Sequence, residues 1–319
     1  MITKIFKRKS LFSLTLSAIL MAFIAYNYSQ SKITWSLFQP QWLNFLLFFG
    51  IMIMTLRVYS FQTNGIAHIS EKHKNAFYLL MYPLIILSFP YESVDVRLLL
   101  CPALIYNAVY CIRQYSLSKK QFAKTKTILL IDSIVLITLA SFLIVENAIF
   151  LVFLLLGLFW TGSRLVVNEI LLVIIVPIIL SFTAHTFLSL FNHQDLLFST
   201  FIFDKNHVIV NNINWEFFYT NKYLFLLIFI FIYAMMLSLT RKYRYQERAY
   251  VSRRIFFAIL ILTTIILVSP TSGMEFHYLG IVMVYFMEYF YRKHSNKIFL
   301  NFFFVSLIIS YLLFTFVLK

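Results

Sequence analysis

Long apolar runs recur along this chain, and the short connectors between them carry most of its charge. A helix of about 20 apolar residues is as long as the hydrocarbon layer of a bilayer is thick. A water-soluble core has no room for many helices of that kind. With 61% hydrophobic residues, 12% charged residues and a mean hydropathy of +0.84, the 319-residue chain lies far outside the soluble range. Its main solvent is expected to be lipid. The 37 Phe and 20 Tyr supply rigid side chains suited to lipid-facing surfaces and to the headgroup belts.

The spans follow from apolar stretches bounded by charge, turn residues or aromatic anchors. The basic cluster Lys4, Lys7, Arg8 and Lys9 precedes a run over 10–28 that resembles a signal peptide, but no small-residue cleavage pattern follows it, so the reading is an uncleaved first span with a cytoplasmic N-terminus. A second span covers 43–61, and a third (76–89) and fourth (96–112) form a hairpin whose outer tip runs from Pro90 to Asp95. Two coupled spans occupy 127–160 with an outer turn at Glu146 and Asn147, and a seventh covers 170–190. The segment 191–221 is the longest outer loop and is too short to be a domain. An eighth span over 222–239 leads to the most basic connector, Arg241 to Arg254; the ninth ends at the Pro270 to Gly273 turn, the tenth covers 274–291 and the last 299–318. The expected fold is thus all-α: one integral membrane domain over 1–319, a polytopic bundle of about eleven spans, with the C-terminus periplasmic. Miscounting the pair around Glu146 would reduce the number to about nine without moving either terminus.

Charge supports this path. Twenty-two of the 27 basic residues fall on the inner side, leaving Lys32, Arg97, Lys205, Lys222 and Lys319 outside, as the positive-inside rule requires. The net charge of +15 therefore calls for anionic headgroups as its counterpart, and no nucleic-acid partner is expected. Cys101 and Cys111 lie in one apolar run, which offers neither a disulfide framework nor a cysteine-rich metal site.

Charges at membrane depth are functional candidates by default. Most of those here have structural explanations: Arg57 lies near the inner end of its span and can snorkel, Asp132 is expected near a helix N-terminus, and Glu288 and Arg292 stand four residues apart on one face. The outer side is richer. Glu92, Asp95 and Arg97 sit at one helix entrance and Glu275 and His277 at another, with His185, His193, Asp195 and His207 farther along the outer side. A carboxylate within reach of a histidine can exchange protons with a substrate, so Glu92, Asp95, Arg97, Glu275 and His277 are the candidate catalytic residues; the competing reading is a solvated rim. No metal-ligand spacing, phosphate loop or nucleophile elbow occurs, and no cofactor is expected. Pro83, Pro102 and Pro177 fall inside spans, where each frees a carbonyl that a neighbouring helix or a wet cavity has to satisfy.

Three segments carry a family likeness: Leu98-Leu99-Leu100-Cys101-Pro102-Ala103-Leu104-Ile105-Tyr106-Asn107-Ala108, the paired spans ending in Trp160-Thr161-Gly162-Ser163-Arg164, and Ser269-Pro270-Thr271-Ser272-Gly273-Met274-Glu275-Phe276. In order and spacing the chain resembles an uncharacterised family of polytopic inner-membrane proteins of Gram-negative bacteria, filed as a domain of unknown function. That resemblance implies an inner-membrane location and a part in envelope biology, and brings no catalytic residues with it. Two functions fit. One is the handling of a lipid-linked glycan or similar amphiphile at the outer leaflet, motivated by the outer carboxylate and histidine groups. The other is a non-enzymatic scaffold or accessory subunit of an envelope or secretion complex, which better explains the sparse intramembrane charge. A transporter or channel ranks third, because no path of buried carboxylates is visible.

Overall fold

The structure is a computed structural model, which describes residues 11–35, 40–64, 94–117, 123–160 and 167–190 together with helical positions at 79, 82–83, 86–87, 259, 261, 274, 277–278 and 280. Among these residues there are six α-helices: α1 (Leu11–Gln30), α2 (Gln41–Asn64), α3 (Val96–Leu117), α4 (Ala123–Leu143), α5 (Ile149–Trp160) and α6 (Val167–Leu190). A 3-10 turn at Val145–Ala148 joins α4 to α5, and two short strands, β1 (Ile33–Trp35) and β2 (Val94–Asp95), precede α2 and α3. Helix α1, of 20 residues, and α6, of 24, are long and apolar enough to cross a membrane. Most of the third span, the loop 191–221, the Arg241 to Arg254 connector and nearly all of the eighth to eleventh spans lie outside the described residues.

The expected spans that fall within the described residues are helical, several of them with extended ends. Helix α2 begins before residue 43 and continues past 61, α3 runs on to Leu117, and α4 starts at Ala123. The early start of α4 corrects the reading of Asp132. That residue lies more than two turns into the helix, beyond the first turn over which the macrodipole favours a carboxylate, and it is exposed.

The chain divides into two compact units, Met1–Leu99 with Ile213–Lys319, and Leu100–Asn212. In the first, α1 packs on α2, and the buried positions of α1 recur every three or four residues: Ser13, Ser17, Met21, Ile24 and Tyr28. Serines occupy the buried side, while Leu11 (82% exposed), Phe12, Ile19 and Phe23 point outward. This is the reverse of a soluble helix. Small residues that let backbones approach belong inside when the surroundings are as apolar as the core.

Ser17 also meets the demand set by a proline. Pro83 has no N–H and so cannot donate to the carbonyl four residues back, which belongs to Leu79. The Ser17 hydroxyl donates to that carbonyl at 2.7 Å, and both residues are buried. A neighbouring helix thus restores the bond that the proline removes.

In the second unit, α4 packs against α6, and α5 returns along both. Leu130, Ser133, Ile134, Ile137, Thr138 and Ser141 line the buried side of α4. Its last turn closes on one carbonyl, that of Ala140. The Ile144 N–H (3.0 Å), the Asn147 side-chain amide (3.1 Å) and the Cys101 thiol (3.5 Å) all donate to it. Asn147 is fully buried, so its amide must find a protein acceptor, and reaching back to Ala140 both satisfies it and stops the helix. Where the chain comes back to the start of α6, the buried Tyr115 hydroxyl faces the Glu169 carboxylate. Burial, then that carboxylate, raises the phenol's pKa, so Tyr115 stays neutral.

Hydroxyls throughout the helices turn back on their own backbone. Thr55 bonds Ile51 at 2.8 Å, Thr138 bonds Ile134 at 2.8 Å and Ser141 bonds Ile137 at 2.8 Å, and so do the exposed Thr183 to Ile179 (2.8 Å) and Thr186 to Phe182 (2.9 Å). An exposed threonine in water has solvent partners to choose from. In lipid the preceding turn is the nearest acceptor.

Candidate functional site

The candidate residues fall in the first unit, and the helix entrance at Asp95 is organised by the strand pair. Ile33, Thr34 and Trp35 are β-branched or aromatic residues of the kind that favour extended backbone. They pair in parallel with β2, Ile33 beside Val94 and Trp35 beside Asp95, and the Val94 N–H donates to the Lys32 carbonyl at 2.9 Å. Parallel pairing needs a long crossover, which the chain supplies by leaving through α2 and coming back before β2.

Asp95 ends β2 and caps α3. Its Oδ1 accepts the Arg97 backbone N–H at 2.8 Å, the bond an N-cap aspartate makes to the second helical residue. The Arg97 side chain then folds back over the same carboxylate: Nε donates to Oδ1 at 3.1 Å and to Oδ2 at 3.2 Å, and Nη2 donates to Oδ2 at 2.8 Å. Both carboxylate oxygens are therefore engaged by a neighbour two residues away. Asp95 is buried, whereas the Arg97 side chain retains 36% exposure. The pair anchors the start of α3 while leaving part of a guanidinium at the surface.

His277 does not stand on a solvated rim. It is buried, and its Nε2 lies 3.1 Å from the Tyr28 hydroxyl, a hydrogen bond between residues 249 positions apart. The rings meet edge to face, with centroids 6.1 Å apart at 83°, and Tyr28 meets Phe48 of α2 in the same way at 6.0 Å and 86°. Tyr28 is 1% exposed and among the largest fully buried side chains, and Tyr278 beside His277 is buried too. One aromatic cluster thereby joins α1, α2 and the residues around 277.

Of the five candidates, Asp95 and Arg97 are brought into direct contact, His277 is bound to Tyr28, and Glu92 and Glu275 lie outside the described residues. His185 sits in the last turns of α6, while His193, Asp195 and His207 lie outside the described residues. No group of three or more metal-ligating side chains occurs among the described residues. Sequence reasoning missed Tyr28, which marks the end of the first span like any headgroup-level tyrosine; a phenol at a span end was the available signal, but not its partner. Ser17 was missed for the same reason, since one serine in an apolar run does not say which carbonyl it serves.

Comparison of the chain with family models, with curated proteins and with solved structures returns no match.

Proposed function

We propose that the chain is a multi-pass protein of the bacterial inner membrane, a bundle of about eleven spans with a cytoplasmic N-terminus and a periplasmic C-terminus, acting as a non-enzymatic scaffold or accessory subunit of an envelope or secretion complex. The observation that carries the functional part is the Asp95 carboxylate, whose two oxygens are both taken up by Arg97. A general acid or base needs a free position facing its substrate, and this carboxylate spends its capacity on a cap and an ion pair. His277 points the same way, because it is buried and bound to a tyrosine of α1.

Two long-range contacts support the topology. The β1–β2 pair sets residues 33–35 beside 94–95, which fits two spans between them, and the Tyr28–His277 bond joins the end of the first span to the start of the tenth. Both pairs link elements assigned to the outer side. The resemblance to uncharacterised Gram-negative inner-membrane proteins agrees with this location.

Affinity purification of the full chain in mild detergent from its native host tests the functional reading. A membrane partner at fixed stoichiometry, unchanged when Glu92 and Glu275 are both replaced by Gln, is the expected result. Recovery of the chain alone, together with turnover of a lipid-linked glycan that the same replacements abolish, would replace the scaffold with the amphiphile-handling enzyme.

A further inference from the structure

Helix α6 leaves an apolar surface far wider than one neighbouring helix covers. Leu171, Ile174, Ile175, Ile178, Ile179 and Phe182 are all exposed, Phe182 by 74%, while Val173 is the helix's one buried residue. At 100° per residue the exposed apolar positions, extended to Phe187 and Leu190, sweep more than half the circumference of the helix. A partner helix buries a narrower seam. From Glu169 to Leu190 no Asp, Glu, Lys or Arg interrupts this surface, over about 30 Å of helix, the thickness of a bilayer's hydrocarbon layer.

The end of the unit where α6 begins is basic. Helix α4 opens on Lys124 and Lys126 with no acidic residue in its first turn, although the positive pole of the macrodipole disfavours cations there. Arg113 stands one turn from the end of α3, and residues 118–122 connect α3 to α4. Because Tyr115, near the end of α3, faces Glu169 in the first turn of α6, and only five residues separate α3 from α4, the end of α3, the start of α4 and the start of α6 lie at the same end of this unit. Glu169 is the acid of the first turn of α6, and it faces Tyr115.

We propose that this unit carries a binding surface for an anionic phospholipid, with acyl chains against α6 and the phosphate at the end bearing Arg113, Lys124 and Lys126. The inference rests on the membrane reading above and is independent of whether the protein is a scaffold or an enzyme. Width and length select lipid over a single partner helix, and the lysines at the start of α4 select an anionic headgroup over a zwitterionic one.

Native mass spectrometry of the purified full chain, with phosphatidylglycerol or phosphatidylcholine added, reads the headgroup preference. Phosphatidylglycerol should be retained preferentially, and replacing Arg113, Lys124 and Lys126 by Ala should lower that retention by about fivefold per charge. Equal retention of the two lipids, or an equal loss when Lys7 and Arg8 are replaced instead, would overturn the site in favour of diffuse attraction. Nitroxide labels at positions 175 and 179 of α6 and at 23 of α1, in a variant lacking Cys101 and Cys111, read the acyl surface in liposomes of the two lipids. All three labels should meet oxygen more than a water-soluble nickel reagent. Shielding from both reagents at 175 and 179 alone would overturn this inference while leaving the membrane reading intact. Nickel access at all three would overturn both.

Discussion

At the scale of single residues, stability depends on a few polar side chains placed where the backbone lacks a partner. The clearest is Ser17. Replacing Ser17 with Ala leaves the Leu79 carbonyl buried without the hydroxyl that serves it, and an orphaned buried acceptor costs about 1–3 kcal/mol. Thermal unfolding in detergent should show that loss for Ser17→Ala, and also replacing Pro83 with Ala should recover much of it, because residue 83 regains the N–H that Leu79 needs. A Ser17→Ala variant as stable as the parent would remove the link between serine and proline. Asp95 separates its two roles under substitution. Asn caps helices nearly as well as Asp, so Asp95→Asn should lose only the partly exposed ion pair, about 0–1 kcal/mol, whereas Asp95→Ala should lose the cap as well, about 0.5–2 kcal/mol more. Equal effects of the two substitutions would mean that the cap contributes nothing.

At the scale of elements, the joint between α4 and α5 rests on Asn147. Its amide donates to Ala140, and the residue is fully buried. Asn147→Ala should destabilise the hairpin by about 1 kcal/mol, and Asn147→Asp by more, since a buried carboxylate oxygen would then face a carbonyl. Hydrogen exchange across the last turn of α4 is the measurement, and greater protection in the Asp variant than in the Ala variant would contradict the assignment. The described helices themselves were legible in the sequence, because each contains an apolar run of helical length. Their ends were not: α4 takes in Lys124 and Lys126 and begins at Ala123, and this removes the helix-start explanation for Asp132. The strand pair was illegible for a different reason. Ile33-Thr34-Trp35 favours extended backbone, but its partner, Val94 and Asp95, lies far along the chain, beyond α2, and depends on the tertiary fold. The candidate site was half legible. Asp95 and Arg97 stand at the start of α3, where their place before an apolar run puts them, yet the bond between Tyr28 and His277 joins two positions that nothing in either local sequence connects.

At the scale of the whole molecule, the question with most consequence is whether α4 and α5 each cross the bilayer. Helix α4, with 21 residues, is about 31 Å long, close to the thickness of the hydrocarbon layer, and its apolar part is Thr127–Leu143. Helix α5 has 12 residues, about 18 Å, and the 3-10 turn of four residues adds about 8 Å. Together these come close to one bilayer thickness, and local thinning of the bilayer accommodates the remainder at modest cost. Charge argues for two crossings. Lys124 and Lys126 stand in the first turn of α4 and Arg164 follows α5 in the sequence, while the turn between the helices carries the exposed acid Glu146 and no cation. A hairpin that crosses twice keeps its cations on one side and exports the acid, as the positive-inside rule favours. Glu146→Cys in a variant lacking Cys101 and Cys111 should therefore react in intact spheroplasts with a maleimide that cannot cross the membrane, while a cysteine at position 164 should react only after lysis. Labelling of both positions only after lysis would make the pair re-entrant and lower the span count by two. Labelling of position 164 from outside would mean a single crossing, and would reverse the direction of α6 together with everything placed after it.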